Sequence, residues 1–341
     1  MKPLPHSDHT DGTRFFNPPY LRRETAGSSR IRPLSILKWQ WNRPKSDWPS
    51  WIENPHPTGA PHAGVPHGGV QLTFIGHSTF LIRMPRPDGT ITTILTDPIF
   101  SQRCSPLSFL GPRRVRAPGR QLADLPKVDI VLVSHAHYDH MDLPSLRALA
   151  RRGDDPLVIT PLQNARFLCK TGLRRIMELD WWQAVSSAGV QITCTPAVHG
   201  AARTPFDHNK SLWGGFMLRD ETGHQLFFAG DTAHGRHWAL IRERLGVPDI
   251  ALLPIGAYAP RTLMASVHAT PEEAVSGLRE LEAGRGIGIH FGTFRLTDEP
   301  MDEPVHRLAQ ALRDRGLPPD IMGVLQHGEC RNMTWSPPER A

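Results

Sequence analysis

Four residues that can bind a metal ion lie close together in the sequence, directly after an apolar, β-branched run. The run VDIVLV ends at Ser134, and His135, His137, Asp139 and His140 follow it. Imidazole and carboxylate at this density suit zinc or a similar borderline metal, with coordination positions left open for water. A lone histidine there would more often be structural, but the whole His-x-His-x-Asp-His cluster at a strand end indicates a metal site.

Three further candidate ligands follow other short apolar runs. His199 follows QITCTPAV, Asp231 follows LFFAG and His290 follows GIGI. We expect each at the C-terminal end of a strand, where open α/β sheets commonly present their functional residues. Taken singly, each residue is as easily structural. Together with the first cluster, they favour the metal-ligand interpretation.

The elements that must position these residues alternate between strands and helices, which predicts an α/β fold. Apolar runs predict strands in VQLTFI, TFLIRM, TTILTDP, VDIVLV, PLVIT, QITCTPAV, LWGGFML, LFFAG, IALLPIG, GIGI and IMGVL. Helices are predicted in LPSLRALARRG, RHWALIRERLG, VHRLAQALRDRG and TPEEAVSGLRELEAG. In the last of these, Thr270 can cap the helix, Pro271 fits its first turn and Glu273 completes a capping box. Gly284 can end it.

The chain divides into an arm and one domain. Residues 1–68 are rich in Pro, Gly, His and Arg and show no sustained periodicity, so we predict an irregular N-terminal arm that packs on the core. Residues 69–341 then form the domain. The rings of four arm tryptophans either pack the arm onto the domain or dock on a lipid interface. They are interleaved with basic residues: Trp39, Trp41, Trp48 and Trp51.

Composition limits the partners and the compartment. Lys and Arg outnumber Asp and Glu by 39 to 33, which favours an anionic substrate or surface without requiring one. The four cysteines form no CxxC pair, so neither a disulfide framework nor a thiolate zinc site is suggested. No secretory signal or membrane span is visible, so we expect a cytoplasmic protein with peripheral membrane contact as an option. No aromatic-rich RNA motif points to nucleic acid.

The combined metal motifs resemble those of the metallo-β-lactamase superfamily, whose fold is a four-layer αβ/βα sandwich. The resemblance implies two zinc ions per chain. The first would be held by His135, His137 and His199, the second by Asp139, His140 and His290, and Asp231 would bridge them. Zinc β-lactamases often have a basic residue at the position of His140 and a cysteine in the second site. This chain has neither, which favours phosphate esters, thioesters or lactones as substrates.

Longer stretches are similar to the N-acylphosphatidylethanolamine-hydrolysing phospholipase D family, including its bacterial relatives. These stretches are IGHSTFLI, ILTDPIFSQRCSP, GPRRVR, SHAHYDHMD, RTPFDHNKSLWGGF, GDTAHG, LLPIGAYAPR, HATPEEAV and IHFGTF. The resemblance covers about Phe16 to His306 and implies a zinc-dependent phosphodiesterase of phospholipase D type, acting on an anionic phospholipid, as a homodimer. Alternatives keep the metal site but change the substrate to a lactone, thioester or cyclic nucleotide, or make the chain a non-catalytic metal-binding protein.

Three carboxylates and His268 are candidates for catalysis. Asp139 and Asp231 would both bind metal and orient the proton of the nucleophile. Asp97, in LTDP, lies beside the metals by resemblance, where it would orient His137 or accept a proton. The alternative for Asp97 is an Asp-Pro turn. His77, in IGHSTF, is either a strand-end residue satisfied by the backbone or part of the site.

The remaining candidates concern substrate binding. His268 stands just before the Thr270 cap, so it and the free amides of that helix start would face a substrate phosphate, and the alternative is a surface histidine. Further substrate contacts, implied mainly by the resemblance, are Tyr138, Asn209 and Tyr258. Three arginines either attract an anionic headgroup or lie in a solvated loop: Arg113, Arg114 and Arg116.

Overall fold

Two mixed sheets of seven strands form the centre of the molecule. The structure is a computed structural model, and it describes residues 7–22, 39, 42–43, 47–55, 64–66 and 68–335. In the first sheet, the spatial order is β14-β1-β2-β3-β4-β5-β6. Its pairs are antiparallel from β14 to β3 and parallel from β3 to β6. The strands are β1 (Gly69–Gly76), β2 (Thr79–Pro85), β3 (Ile91–Thr96), β4 (Ile130–Leu132), β5 (Leu157–Pro161), β6 (Arg175–Leu179) and β14 (Cys330–Thr334).

The second sheet repeats this arrangement, with the order β13-β12-β11-β10-β9-β8-β7. Its pairs are antiparallel from β7 to β10 and parallel from β10 to β13. No internal repeat is visible in the sequence, so the similarity lies in the topology alone. The strands are β7 (Ala184–Ser187), β8 (Val190–Thr195), β9 (Gly215–Asp220), β10 (Gln225–Phe228), β11 (Ile250–Pro254), β12 (Arg285–Ile289) and β13 (Met322–Gly323).

The main apolar core joins the two sheets, because it contains Phe74 and Val131 of the first sheet and Phe216 and Leu226 of the second. A second apolar cluster packs three helices against the second sheet. The helices are α1 (Leu143–Arg152), α2 (Ala165–Leu168), α3 (His237–Leu245), α4 (Arg261–Met264), α5 (Pro271–Glu280) and α6 (Glu303–Asp314), with 3-10 turns at Pro19–Leu21 and Leu122–Asp124. The predicted α/β sandwich is therefore confirmed.

The four predicted helices are confirmed as α1, α3, α5 and α6. In α5, Thr270 Oγ1 accepts a hydrogen bond from the Glu273 amide at 3.2 Å, and a Glu273 carboxylate oxygen accepts one from the Thr270 amide at 2.9 Å. This is the predicted capping box. The helix ends at Glu280, before the predicted end at Gly284. Three strands at sheet edges, β6, β7 and β14, were not predicted.

Described residues of the N-terminal arm contact the domain. Phe15 and Leu21 are buried in the main core. The indole N–H of Trp39 donates to Asp298, and that of Trp48 donates to the Glu299 carbonyl at 2.8 Å. These two rings therefore follow the packing alternative, whereas Trp41 lies outside the described residues. Within the described part of the chain, no helix has the length and apolar character needed to cross a membrane.

Candidate metal centre

All seven predicted ligands lie together, on loops that both sheets supply. The loop between β4 and α1 carries the first cluster, and three later ligands follow β8, β10 and β12. Because β10, β11 and β12 run parallel to one another, the C-terminal ends of β10 and β12 open toward the same end of the second sheet. The residues brought together are His135, His137, Asp139, His140, His199, Asp231 and His290.

Three imidazoles form the first ligand group. His135 Nε2 lies 2.8 Å from His137 Nδ1, and His199 Nε2 lies 3.3 Å from the same atom. Ligand atoms on a tetrahedral zinc ion stand about 3.3 Å apart, given bonds of about 2.0–2.1 Å. The three nitrogens therefore converge at the spacing that one zinc ion requires.

The second ligand group combines one carboxylate and two imidazoles. Asp139 Oδ2 lies 3.4 Å from His140 Nε2 and 3.3 Å from His290 Nε2. These separations also match neighbouring ligands on one ion. The grouping that the resemblance implied is thus the grouping that the side chains adopt.

Asp231 lies between the two groups. Its Oδ2 atom is 3.9 Å from His135 Nε2 and 3.7 Å from His199 Nε2 in the first group. In the second group, it is 3.1 Å from His140 Nε2 and 3.2 Å from His290 Nε2. One carboxylate oxygen therefore faces both groups, as a bridging ligand must.

Asp97 orients ligands of both groups. Its Oδ2 accepts from His140 Nδ1 at 2.7 Å and from the Ser134 hydroxyl at 2.6 Å, and its Oδ1 accepts from the Ser134 amide at 2.7 Å. The Ser134 hydroxyl in turn lies 2.9 Å from His135 Nδ1. The expectation that Asp97 orients His137 is therefore wrong, because its carboxylate faces His140 instead. A hydrogen bond at Nδ1 leaves Nε2 free to bind a metal.

His199 is oriented in the same way by a main-chain group. Its Nδ1 donates to the Val267 carbonyl at 2.8 Å, which directs Nε2 toward the other ligands. Val267 precedes His268, the candidate for substrate binding. The segment before α5 therefore both fixes a ligand and carries a candidate substrate contact.

His77 belongs to the site. It lies between β1 and β2, is fully buried, and its Nε2 donates to Asp139 Oδ2 at 3.0 Å. Burial, followed by the neighbouring His290, lowers the pKa of His77 to about 3, so the ring is neutral. Of its two alternatives, the site interpretation is the one that the structure supports. The motif IGHSTF indicated His77 as a candidate, but it did not predict the contact with Asp139.

Three site residues have backbone conformations that favour glycine. The φ angles are 58° at His77, 33° at Asp97 and 63° at His290. Such conformations cost of the order of 1–3 kcal/mol each in non-glycine residues and concentrate at functional sites. The turn at His77 and the turn at His290 also meet directly, since the His290 amide donates to the His77 carbonyl at 2.8 Å.

The candidate ligand imidazoles fall into two groups by their pKa values, which burial lowers and nearby carboxylates raise. Burial lowers the pKa of His135 well below its usual range and that of His137 to about 3. Neutral imidazole is the form that binds metals. At His140 and His290, burial acts in the same direction, but the surrounding carboxylates, Asp231 first and then Asp139, together outweigh it and raise the pKa of His140 well above its usual range and that of His290 to about 9.

The donor set fits a pair of metal ions. His140 Nε2 and Asp231 Oδ1 are buried and make no hydrogen bond of good geometry with any described residue. Buried polar atoms normally have partners, so such atoms indicate a missing ion or other ligand. Nitrogen and carboxylate donors without thiolate suit zinc, and the cysteines Cys104 and Cys194 lie buried outside the ligand groups.

His268 lies beside the ligands. Its Nδ1 is 4.0 Å from Asp231 Oδ2, and its ring centroid is 5.1 Å from that of His199. The side chain keeps 13% of its surface exposed, so it can reach a bound molecule. The predicted free amides are partly used, because the capping box occupies the main-chain N–H groups of Thr270 and Glu273.

The other predicted substrate contacts have partners within the protein. The Tyr138 hydroxyl donates to the Arg203 carbonyl at 2.9 Å. Asn209 holds its own loop, since its Oδ1 accepts from the Ala201 amide at 3.1 Å. The Tyr258 ring is buried, and its hydroxyl donates to Glu303 at 2.7 Å, so this side chain is placed for packing rather than for substrate contact.

Two of the three candidate arginines are at least partly buried. The Arg114 guanidinium is buried and donates to the carbonyls of Ile99 and Ser101, each at 2.9 Å. Arg116 is half-buried, and burial lowers its pKa. Arg113 alone of the three is exposed. Arg114 therefore supports the loop instead of attracting a ligand.

Comparisons with known proteins identify the family. A model described as "Beta-lactamase superfamily domain" matches residues 92–291. An uncharacterized protein of Mycobacterium tuberculosis is 39% identical over 71% of this chain, and the match spans only 64% of that relative's length. "N-acyl-phosphatidylethanolamine-hydrolyzing phospholipase D 1" of Caenorhabditis elegans is 34% identical over 72% of this chain and 71% of its own.

A solved structure shows the same fold. Igni18, a metallo hydrolase from the archaeon Ignicoccus hospitalis, superposes with a TM-score of 0.56 at 22% identity and covers 78% of this chain and 98% of its own. At that identity the likeness concerns the fold alone. The family match shows that this chain belongs to the β-lactamase superfamily, and its two mixed sheets have the metallo-β-lactamase fold.

Proposed function

We propose that this chain is a zinc-dependent phosphodiesterase of phospholipase D type, which hydrolyses N-acylphosphatidylethanolamine or a related phospholipid. The observation that carries the proposal is the position of Asp231 Oδ2, within 4.0 Å of ligand nitrogens from both groups. This arrangement suits two ions that act on one phosphoryl group. The Caenorhabditis elegans relative, whose name states this substrate and reaction, supports the lipid assignment.

The reaction breaks the bond between phosphorus and the oxygen of the N-acylethanolamine and transfers a water oxygen to phosphorus. Two zinc ions would lower the pKa of a coordinated water to about 7 and stabilise the charge on the phosphoryl oxygens. Asp139 and Asp231 would hold the ions and would accept hydrogen bonds from the nucleophile. His268, kept neutral by burial, which lowers its pKa, offers an N–H to the phosphoryl group. Asp97 orients the imidazole ring of His140 directly and that of His135 through the Ser134 hydroxyl.

Two exposed apolar loops flank the metal loop, and we assign them contact with the lipid surface. In the first, Phe109 is 76% exposed and Leu110 is 62% exposed, and in the second Phe206 is 82% exposed. Tyr138, which stands between two metal ligands, connects both loops. Its ring packs against the cluster that contains Cys104, and its hydroxyl donates to the Arg203 carbonyl. The exposed Arg113 adds positive charge for anionic headgroups.

The substrate is tested with the zinc-loaded protein and defined substrates. We expect vesicles of N-acylphosphatidylethanolamine to release N-acylethanolamine and phosphatidic acid, with loss of activity on chelation and recovery on addition of Zn²⁺. A lactone, a thioester and a cyclic nucleotide serve as competing substrates. Turnover of any of these without turnover of the phospholipid would show that the metal site is right and the lipid assignment wrong.

The lipid surface is tested with a triple variant, Phe109→Ser, Leu110→Ser and Phe206→Ser. We expect weaker binding to anionic vesicles and slower hydrolysis of vesicle substrate, with unchanged hydrolysis of a soluble short-chain phosphodiester. Val247→Ser is the matched control, because Val247 is 40% exposed and precedes β11, at the sheet edge opposite the ligands. Equal vesicle binding by wild type and triple variant would overturn this assignment.

The homodimer and the cytoplasmic location implied earlier stay predictions. Sedimentation equilibrium of the purified protein would measure the first, and fractionation of cells that express the chain would measure the second.

A further inference from the structure

The side-chain amide of Asn17, in the N-terminal arm, forms hydrogen bonds with both main-chain groups of His199. Its Nδ2 donates to the His199 carbonyl at 2.7 Å, and its Oδ1 accepts from the His199 amide at 3.3 Å. A side-chain amide used in this way mimics the two hydrogen bonds of a neighbouring strand. The sequence gives no signal for this contact, since the two residues are 182 positions apart.

His199 needs such a partner because it lies in irregular structure after β8. The preceding residue, Val198, pairs with Thr232, while both main-chain groups of His199 pair with Asn17. The ring is held separately, by the Val267 carbonyl at Nδ1. The direction of Nε2 therefore depends on two supports, one of which belongs to the arm.

Asn17 is itself held firmly. Its Oδ1 also accepts from the indole N–H of Trp213 at 3.2 Å, and Trp213 is fully buried. Phe15 and Leu21, on either side of Asn17, are buried in the main core. The Leu21 carbonyl accepts from the Arg236 amide at 2.9 Å. The support is therefore part of a packed structure, and thermal motion of the arm alone does not remove it.

We propose that Asn17 is a positioning residue for the ligand His199, so that the arm is a component of the metal centre. The inference rests on the proposed zinc site but not on the phospholipid substrate. A ligand whose backbone is fixed in advance binds metal more tightly, and loss of such supports typically costs about 10- to 100-fold in metal affinity.

The test compares Asn17→Ala with Asn54→Ala. Asn54 is also an arm asparagine whose amide donates to a main-chain carbonyl, that of Ala117 at 2.8 Å, but it contacts no ligand. Zinc affinity is measured by competition with a chromophoric chelator, and coordination geometry by the visible spectrum of the Co²⁺-substituted protein. We expect about 10- to 100-fold weaker zinc binding and an altered cobalt spectrum for N17A, and wild-type values for N54A.

Each outcome has a definite meaning. Wild-type zinc affinity and cobalt spectrum in N17A, with only a lower melting temperature, would show that Asn17 merely anchors the arm and would overturn the proposal. If N17A does not fold, Asn17→Asp replaces it, since the carboxylate keeps the Oδ1 contacts and loses only the donor to the His199 carbonyl. We expect N17D to bind zinc at least several-fold more weakly than wild type. Failure of the wild-type protein to bind zinc would instead refute the metal site itself.

Discussion

Asp97 links ligands of both groups through a few short hydrogen bonds. It contacts His140 directly and His135 through the Ser134 hydroxyl, and all four side chains are buried. In this environment both oxygens of the carboxylate accept hydrogen bonds, two at Oδ2 and one at Oδ1. Substitutions that change an acceptor of Asp97 into a donor should therefore disturb the metal site more than substitutions that only change size.

We predict that Asp97→Asn weakens zinc binding about 10- to 100-fold. If the new NH₂ group replaces Oδ2, it faces His140 Nδ1–H and the Ser134 hydroxyl, and if it replaces Oδ1, it faces the Ser134 amide, so donors meet in either orientation. Chelator competition measures the affinity. Asp142→Asn is the matched control, since Asp142 is also buried but accepts from Ser101 and Ser145, away from the ligands. Equal zinc affinity in both variants would show that Asp97 does not orient the ligands.

His268 should act on the substrate and not on the metal. We predict that His268→Ala lowers kcat for a phosphodiester by about 10²- to 10³-fold, the usual loss when one hydrogen-bond donor to the developing negative charge is removed. Zinc content, measured by elemental analysis, should stay at the wild-type value. Loss of zinc together with loss of activity would place His268 among the ligands, an arrangement that its 4.0 Å distance from Asp231 also permits.

The sequence predicted which residues lie together in the site, but not the residues that orient them. Spacing such as His135-x-His137 is local, so one strand end places both rings. The partner of Asp97, the contact of His77 and the role of Asn17 depend on how distant loops meet, which a single sequence does not encode in any local pattern. Positive φ angles at His77 and His290 were equally invisible, because neither position carries glycine.

At the scale of elements, the three strands that were missed lie at sheet edges. The β6 strand alternates exposed and half-buried residues, β7 has no buried residue, and β14 has one. Central strands such as β4 and β11 are buried throughout and gave continuous apolar runs. Hydrophobic patterns therefore predicted the strands that pack in the core, and these three edge strands, which bury little, gave no comparable pattern.

Gly277 allows α5 to approach α3 closely. A Cβ atom at this position would lie 2.9 Å from the ring of the fully buried Trp238. We predict that Gly277→Val lowers the free energy of unfolding by about 1–3 kcal/mol through overpacking. Denaturant unfolding measures the change. Arg279→Val, at an exposed position of the same helix, should stay within about 0.5 kcal/mol of wild type, and equal effects of the two would exclude the packing explanation.

At the scale of the whole molecule, the arm is attached through a buried histidine as well as through Asn17. His9 Nε2 donates to Asp180 at 2.7 Å, its Nδ1 donates to Asp8 at 2.7 Å, and its ring stacks on Trp181. Burial would lower the pKa of His9, but the two carboxylates, Asp180 first, outweigh burial and raise it. The folded protein therefore favours the charged ring.

We predict that attachment of the arm weakens at alkaline pH. Because the folded-state pKa of His9 is raised, its contribution is complete below the unfolded pKa of about 6.5 and is lost as pH rises through the folded-state value. Hydrogen exchange of the Phe15 and Phe16 amides, corrected for intrinsic rates, measures the attachment. His9→Gln should remove the pH dependence. An identical pH profile in wild type and variant would rule out His9 as its source.

Because the candidate ligands come from loops of both sheets, a bound metal ion would link the two similar halves of the fold. Any ion bound only by the folded state stabilises it according to its free concentration, by about 2.7 kcal/mol at 100 times the dissociation constant. The midpoint temperature of thermal unfolding should therefore rise with the free zinc concentration, and a chelator should lower it. In a cell with little free zinc, more of the chain would be unfolded and degraded. Its abundance would then fall together with the zinc concentration.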